Sequence, residues 1–204
     1  MNTELIIKLL IVLSGAYLLG SIPFGALMGR LYGIDLLKKG SGSTGTTNVI
    51  RNIGLWQGLL VLVADILKGA AAAYLALQIL GLPGYVVLSG IMAMIGHSHS
   101  IFIGFKGGKA AATGTGMILV ISWQTFVIVF GIIVLVLVLT KYQSLASLIA
   151  SGTVPFLLYY FKVDIVYVTL GVFAVAFVWY KHIPNIKRLL NGTENKLGSK
   201  KKRK

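Results

Sequence analysis

The sequence predicts an all-α, polytopic membrane protein with about seven transmembrane helices. Hydrophobic residues make up 56% of the 204 residues, charged residues only 12%, and the mean hydropathy is +0.87. A water-soluble domain usually carries about 25% charged residues, twice the proportion found in this chain. Several apolar runs also approach the roughly 20 residues with which a helix crosses a bilayer.

Seven apolar segments follow one another along the chain. The first is too long for a secretory signal and has neither a basic start nor a small-residue cleavage site, so we expect it to remain as a span. The polar sequence SWQT at 122–125 separates the fourth segment from the fifth, which could otherwise form one long bent helix. The segments cover residues 5–31, 55–80, 85–103, 110–121, 126–140, 145–161 and 165–180.

Loop charge predicts the orientation, because Lys and Arg are retained on the cytoplasmic side of short loops. Seven alternating spans collect the basic loops on one side and leave the other side with nearly uncharged or compensated turns. Six spans would mix the two groups. We therefore expect the amino terminus outside and the carboxyl terminus in the cytoplasm. The cytoplasmic basic residues would be Lys38, Lys39, Arg51, Lys106, Lys109, Lys141 and those of the tail from Lys181.

The formal net charge of +14 and the terminal run KKKRK could suggest a nucleic-acid-binding protein. In a polytopic protein, orientation and attraction to anionic headgroups explain the charge, at about 1 kcal/mol per basic residue near the surface. We therefore expect membrane lipids and no nucleic acid as partners. The chain has no cysteine, which excludes disulfides and a thiol nucleophile. We expect one membrane-embedded domain over 1–204, with 195–204 as a basic, flexible tail.

The segment 40–51, GSGSTGTTNVIR, is the first of three polar loops expected on the cytoplasmic side. Gly40, Gly42 and Gly45 allow positive φ and let backbone N–H groups converge on an anion, and hydroxyl side chains between them add donors. The loop is therefore suited to bind a phosphate. A flexible linker of glycine and serine explains the same composition, and the loop alone does not decide between the two.

The segment 104–109, GFKGGK, places Gly107 and Gly108 between Lys106 and Lys109. Two lysines around a glycine pair can neutralise a phosphate dianion from both flanks. The segment lacks the glycine spacing and the hydroxyl residue of a Walker loop, so nucleotide hydrolysis has no support. The alternative is that the lysines only determine membrane orientation.

The segment 181–194, KHIPNIKRLLNGTE, spaces His182, Asn185 and Arg188 three residues apart. This spacing aligns the three side chains along one face of a helix that extends below the last span. Pro184 suits the first turn of such a helix. An ordinary helix end with solvated polar residues is the alternative interpretation.

Asp65 and Lys68 are unusual because they lie inside the predicted span 55–80, where a lone charge would cost roughly 2.5 to 3.5 kcal/mol. At a spacing of three they can pair with each other or face a polar cavity. A structural pair and a support for a functional site both remain open. His97 and His99 end the third span at alternate positions, and no carboxylate or thiol nearby in the sequence would complete a metal site.

Three phosphate-suited loops on one face are more than three independent linkers would predict. Here the sequence resembles the bacterial acylphosphate-dependent glycerol-3-phosphate acyltransferases, small inner-membrane enzymes that begin phospholipid synthesis. The resemblance covers essentially the whole chain, with two departures: Ser43 stands where the family usually has Asn, and Ser100 where it usually has Pro. The matching positions are Gly40, Ser41, Gly42, Gly45, Thr47, Asn48 and Arg51, then Gly96, His97 and 105–109, then His182, Asn185, Arg188, Gly192 and Glu194, with 144–147, Asp65, Lys68 and Gly69 besides.

The resemblance implies that a fatty acyl group moves from acyl phosphate to the 1-hydroxyl of glycerol 3-phosphate, without a cofactor. Lysophosphatidic acid and inorganic phosphate would be the products, and functional coupling to the enzyme that makes acyl phosphate is expected. In the implied site the phosphates are bound by the backbone of 40–45 and by Arg51, Lys106, Gly107, Gly108 and Lys109. The glycerol is oriented by Asn48, Ser144 and Asn185, and the site is closed by His182 and Arg188. The supporting residues are Asp65, Lys68, His97 and Glu194.

The general base has two candidates. None of the three histidines is followed five residues later by Asp, so the signature of soluble acyltransferases is absent. Either His182 accepts the hydroxyl proton, or it only positions the hydroxyl while a substrate phosphate oxygen is the base.

Two rival functions belong to other classes. A transporter or channel for an organic phosphate would also use basic loops and an intramembrane pair such as Asp65 and Lys68, but inverted repeats and broken midplane helices are not evident in the sequence. A non-catalytic lipid-binding subunit would not need hydroxyl and cation clusters in three separate loops.

Overall fold

The computed structural model describes residues 3–198, and within that range the protein is built from α-helices and contains no β-strand. The all-α class is therefore confirmed. Residues 199–204 of the tail that was predicted to be flexible lie outside the described residues. The helices are α1 (Thr3–Ser21), α2 (Phe24–Leu31), α3 (Thr46–Asn52), α4 (Leu55–Leu80), α5 (Pro83–Ser98), α6 (Ala111–Ile121), α7 (Trp123–Thr140), α8 (Gln143–Tyr160), α9 (Ile165–Lys181) and α10 (Ile183–Leu190).

Every apolar segment identified in the sequence is helical. The first is broken between α1 and α2 at Pro23, which cannot supply a backbone N–H to continue the helical hydrogen bonds. The predicted break near 122–125 is confirmed, because α6 ends at Ile121 and α7 begins at Trp123. Ser122 caps α7 by accepting a hydrogen bond from the backbone N–H of Thr125 at 3.3 Å.

The number of spans differs from the prediction. Three helical segments in the described part of the chain are long and apolar enough to cross a membrane, or four if the bent pair α9 and α10 is one span. The prediction of seven such spans is therefore wrong. At 1.5 Å per residue, α5, α6 and α9 reach only about 17 to 26 Å of the roughly 30 Å needed, and α8 is interrupted by polar side chains. The three segments are Thr3–Leu31, Leu55–Leu80 and Trp123–Thr140.

The short helix α6 is held at the centre of the bundle by close contact with α4. A Cβ atom at Gly69 would lie 2.0 Å from the carbonyl oxygen of Thr113, and one at Gly116 would lie 1.9 Å from that of Ile66. Lipid is as apolar as the side chains, so helices in a membrane associate through such close packing of small residues. These two glycines bring the backbones together and place the amino end of α6 beside the site described below.

The polar loops gather at one end of the bundle, which we call the site end. The amino ends of α6 and α8 and the carboxyl ends of α5 and α9 lie there. Two contacts across long stretches of chain demonstrate this arrangement. Lys109, just before α6, donates to Asn185 of α10, and Ser144 of α8 donates to Glu194 beyond α10.

Candidate active site

The carboxylate of Glu194 lies at the centre of a polar cluster at the site end. It accepts hydrogen bonds from Ser144 Oγ at 2.9 Å, Asn185 Nδ2 at 2.7 Å and Arg188 Nε at 2.7 Å, and the last contact is also an ion pair. Burial acts to raise the pKa of Glu194. The hydrogen bonds from Asn185, Arg188 and Ser144, with the charge of Arg188, outweigh burial and leave the pKa below its usual value.

Lys109 joins the second loop to this cluster. Its Nζ donates a hydrogen bond of 2.6 Å to Asn185 Oδ1. Burial is the main cause that lowers the pKa of Lys109 to about 8; the Glu194 carboxylate acts against it, and the positive charges of Arg188 and Arg51 act with it. Two further cations and one carboxylate therefore act on Lys109. The cluster has spare positive charge with which to bind an anion.

His182 connects α9 to α10, and its side chain is buried. Its Nδ1 is 2.8 Å from the carbonyl oxygen of Val178, which assigns the ring proton to Nδ1 and leaves Nε2 as an acceptor. Burial and the charge of Lys109 lower the pKa of His182 to about 4, against the opposing effects of the Val178 carbonyl and Glu194. The imidazole is therefore neutral at physiological pH and is a weak base.

The first loop is organised by one side chain, Asn48, which is 2% exposed. Its Nδ2 contacts the carbonyl oxygens of Leu36, Lys39 and Ser43 at 3.1, 3.0 and 2.8 Å, and its Oδ1 accepts from the backbone N–H of Ser41 at 3.1 Å. The amide group has no hydrogen-bonding capacity left for a ligand in this conformation. Asn48 therefore shapes the loop from inside.

The loop backbone agrees in part with the expectation from its glycines. Gly40 and Gly42 have φ of +66° and +67°, as predicted. A Cβ atom at Gly40 would also lie 2.0 Å from Asn48 Oδ1. Gly45 has φ of −73° and precedes α3, so it does not use the positive φ that glycine allows. Ser43, one of the two departures from the family pattern, accepts a hydrogen bond of 3.3 Å from the Gly45 N–H.

The second loop is held against His97 at the end of α5. The backbone N–H of Gly108 donates to the His97 carbonyl at 3.0 Å. A Cβ atom would lie 2.1 Å from that oxygen at Gly107 and 2.0 Å from His97 Nε2 at Gly108. Only glycines fit at these two positions, so the backbone preceding Lys109 is determined by contact with His97.

The intramembrane charges lie directly behind His97. Asp65 Oδ1 is 2.8 Å from Lys68 Nζ and 3.4 Å from His97 Nδ1, and all three side chains are buried. Lys68 Nζ also donates to the carbonyl oxygen of Ile22 at 2.9 Å, where α1 is broken. The pair is thus structural, and it also supports the site, because it holds the histidine on which the second loop rests.

Ser100 shows what this chain gains from its other departure from the family pattern. Its backbone N–H donates to the carbonyl oxygen of Lys106 at 3.1 Å, and its Oγ donates to the carbonyl oxygen of Ser21 at 2.5 Å. Proline has neither donor, so neither bond could form with proline at this position, and the second also requires the serine hydroxyl. The Lys106 side chain itself is exposed and lies outside the polar cluster.

The structure thus sorts the residues that the sequence singled out. Arg51 is linked to the cluster by charge alone, and its side chain makes no hydrogen bond within residues 3–198. The backbone carbonyl of Val178, which orients His182, was missed because a carbonyl leaves no signal in a sequence. The predicted site residues that the fold brings together in the polar cluster are Lys109, Ser144, His182, Asn185, Arg188 and Glu194. The predicted site residues that lie behind the loops are Asn48, Asp65, Lys68 and His97.

An apolar groove begins beside the cluster and runs between α5, α6, α7, α8 and α9. The enclosed cavity volume is about 40 Å³, and all the empty space, including space open to the surroundings, is about 480 Å³. Each of three helices contributes one groove residue next to a site residue: Ser147 follows Ser144, Val178 precedes His182, and Ala111 follows Lys109. The walls include Met94, Gly114, Ser147, Val154, Gly171 and Val178.

Comparison with known sequences and structures gives concordant results. The family model described as glycerol-3-phosphate acyltransferase matches residues 10–192. A glycerol-3-phosphate acyltransferase of Carboxydothermus hydrogenoformans is 42% identical over 91% of this chain and 95% of its own length. Glycerol-3-phosphate acyltransferase 2 of Moorella thermoacetica is 45% identical over 94% of this chain and 98% of its own length.

Two crystal structures have the same fold. Both are of PlsY (YgiH), an integral membrane glycerol 3-phosphate acyltransferase, and both are 34% identical to this chain over 93% of its length. The glycerol 3-phosphate form is matched over 96% of its chain with a TM-score of 0.89. The lysophosphatidic acid form is matched over 95% with a TM-score of 0.87.

Proposed function

The chain belongs to the glycerol-3-phosphate acyltransferase family and is an acyltransferase, and we propose that it uses acyl phosphate as donor. The acyl group moves to the 1-hydroxyl of glycerol 3-phosphate, and lysophosphatidic acid and inorganic phosphate leave. The observation that carries the proposal is a cluster of three cations, Lys109, Arg51 and Arg188, at the mouth of an apolar groove. Such a site suits a reaction between a phosphate and a lipid chain.

The excess of cations suits the two phosphates that the reaction brings together. Lys109 and Arg51 act on each other electrostatically, and in a protein interior each would be stabilised by a bound anion. The backbone of 40–45 and the exposed Lys106 add donors near the first and second loops. In this proposal Lys109 and Arg51 bind the phosphate of the donor, and Arg188 with Asn185 binds glycerol 3-phosphate.

The groove suits the acyl chain. Its walls are apolar, and it begins where Ser144, His182 and Lys109 meet, so a chain lying in it has its carbonyl carbon beside the cluster. A lipid substrate can reach such a groove without leaving the apolar phase. This continuity between a charged mouth and an apolar interior supports an amphiphilic acyl donor.

The reaction needs one attack and one proton transfer. The 1-hydroxyl oxygen of glycerol 3-phosphate bonds to the carbonyl carbon, and the bond from that carbon to the phosphate oxygen then breaks. Lys109, still mostly protonated at neutral pH with a pKa of about 8, stabilises the negative charge that grows on the leaving phosphate. The hydroxyl proton passes to a phosphate oxygen, and inorganic phosphate departs.

The low pKa of His182 favours the second of the two proposals for the base. A group with a pKa of about 4 is a poor match for proton abstraction at neutral pH. Its free Nε2 can still accept a hydrogen bond from the substrate hydroxyl. His182 therefore positions the hydroxyl, and the substrate phosphate is the base.

We place the enzyme in the inner membrane with the site facing the cytoplasm, as the basic loops indicate. All three loops that carry positive charge lie at the site end, where a water-soluble glycerol 3-phosphate would enter from the cytoplasm. Acyl phosphate is a reactive anhydride, so coupling to the enzyme that makes it would limit its hydrolysis.

The test uses purified protein in phospholipid vesicles with hexadecanoyl phosphate or the matching coenzyme A thioester. Release of phosphate from the acyl phosphate should require glycerol 3-phosphate and should yield one lysophosphatidic acid per phosphate. Activity with the thioester alone would overturn the choice of donor. Phosphate release that is indifferent to glycerol 3-phosphate would overturn the transfer reaction. Lys8→Met, which alters a lysine at the far end of α1, is the control for Lys109→Met.

A transporter of organic phosphates is less well supported. The main observation in favour of a transporter is the intramembrane pair of Asp65 and Lys68. These side chains contact each other, and they also contact His97 and the carbonyl oxygen of Ile22. Uptake of labelled glycerol 3-phosphate into sealed vesicles without acyl donor would favour this alternative.

A further inference from the structure

The end of the apolar groove that is farther from the cluster is lined by Val154 of α8 and Gly171 of α9. Leu158 is fully buried, and its Cδ1 lies 3.6 Å from the position that a Cβ atom of Gly171 would occupy. Side chains on a helix lean toward its amino end, so Leu158 points back along α8 toward the site end. Gly171 lines the groove and Leu158 packs directly beyond it, so Leu158 is in a position to limit the length of the groove.

The position of this end gives the groove a length. Val154 is ten residues along α8 from Ser144, and Gly171 is eleven residues along α9 from His182. At 1.5 Å per residue both lie about 15 to 17 Å from the cluster. Val129, on the opposite wall formed by α7, is eleven residues from Thr140 and therefore lies at the same depth.

An extended acyl chain advances about 1.3 Å per carbon, because C–C bonds of about 1.5 Å are staggered. About twelve or thirteen carbons beyond the carbonyl thus reach Leu158 and Gly171, and gauche bends admit a somewhat longer chain. A groove open to lipid at its outer end would impose no such limit. The methylenes gain nothing by leaving lipid for an apolar groove, so selection between chains must come from steric limits.

We propose that Leu158 and Gly171 determine the acyl-chain length that this enzyme prefers. The inference rests on the proposed acyl-phosphate reaction and concerns the far end of the same site. A larger side chain at position 171 shortens the groove, and a smaller one at position 158 lengthens it. Neither residue lies near the cluster, so the affinity for glycerol 3-phosphate should not change.

The experiment compares kcat/KM for decanoyl and hexadecanoyl phosphate in vesicles. Gly171→Leu should lower the ratio of hexadecanoyl to decanoyl activity about tenfold or more, because one methylene against a rigid wall already discriminates by about that factor. Leu158→Ala should raise the same ratio, and Gly171→Ala should shift it in the direction of Gly171→Leu but less. The KM for glycerol 3-phosphate should stay within about twofold in all three.

Gly131→Leu is the matched control, because Gly131 lies on the lipid-facing side of α7 with nothing within 4 Å of an added Cβ. It should leave the ratio unchanged. Equal ratios in the wild type and in every folded variant would overturn the inference while leaving the reaction intact. If the Gly171→Leu variant does not insert into the membrane, the ratios measured for Gly171→Ala and Leu158→Ala test the inference. Lack of activity with any acyl phosphate would instead overturn the proposed reaction, and the inference with it.

Discussion

The protein contains two clusters of charged residues, and the two clusters differ in how completely their charges are paired. In the first, Asp65 pairs with Lys68 and contacts His97, and Lys68 also contacts the Ile22 carbonyl, so each charge faces an opposite charge or a dipole. In the second, Glu194 pairs with Arg188, and the charges of Glu194, Arg188 and Arg51 all act on Lys109. Charge balance distinguishes them: the charges of the first cluster are paired, and in the proposed function those of the second are balanced by a bound anion.

The largest effect on stability is expected at the first cluster. Asp65→Asn leaves Lys68 buried without its counter-ion, which should cost about 3 to 5 kcal/mol in the free energy of unfolding. The measurement is thermal or chemical unfolding in detergent. Asp35→Asn is the matched control, since the Asp35 and Lys38 pair is exposed and should contribute less than about 1 kcal/mol. Equal losses in the two variants would contradict the distinction between the clusters.

At the second cluster we expect a loss of activity with little loss of stability. Lys109→Met should lower kcat by about 100- to 1,000-fold, because it removes one cation that stabilises the leaving phosphate. Phosphate release and the melting temperature should be measured on the same preparation. A variant that keeps near wild-type kcat would show that Lys109 does not contact the reacting phosphate.

The two clusters are coupled through His97, and Gly108→Ala tests the coupling. Its Cβ would lie 2.0 Å from His97 Nε2, so the second loop must shift and carry Lys109 with it. A displacement of about 1 Å at a reacting group can cost about 100-fold in rate, so a 10- to 100-fold loss is expected. Gly15→Ala is the control, because an added Cβ at this position meets nothing within 4 Å, and it should leave the rate unchanged. Wild-type activity in Gly108→Ala would mean that the loop is not held by His97.

The pH dependence should separate charge at the site from stability. In the proposed reaction Lys109 binds phosphate as a cation. Its pKa is about 8, so kcat/KM should fall as the pH rises above 8, about tenfold by pH 9. Between pH 8 and about 10.4 the unfolded chain holds the Lys109 proton and the folded chain does not, so this group adds stability as the pH rises. Lys109→Arg should move the activity limb to higher pH. If the fall of kcat/KM at high pH occurs at the same pH in Lys109→Arg, a titrating group other than Lys109 causes it.

The helices and the turn residues were predictable because their signals are local. Apolar runs marked every main helix, SWQT marked the break at Ser122, and Gly40 and Gly42 have the positive φ expected of them. The prediction of seven full spans was wrong because α5, α6 and α9 are too short to cross a bilayer, although each lies in an apolar run. The run 85–103, for example, ends as α5 at Ser98, where the chain turns to reach Lys106.

Several residues that the sequence proposed for the site lie together in the fold, and their roles in binding and catalysis stay predictions. Asn48 was expected to face the substrate, yet its amide holds the first loop together. Glu194 was expected to give support, and it occupies the centre of the cluster. Both outcomes depend on hydrogen bonds between atoms far apart in the chain, or on backbone carbonyls that any residue could supply.

By itself the sequence determined that this chain is a helical membrane protein with three basic, glycine-containing loops, because hydropathy, charge and glycine content act locally. Only the tertiary structure decided that Lys109 meets Asn185, that Asp65 contacts both Lys68 and His97, and that an apolar groove runs between five helices. These features depend on distances between helices, and one of those distances, between α4 and α6, is set by the close contacts of Gly69 and Gly116. Short-range preferences of single residues do not encode such distances.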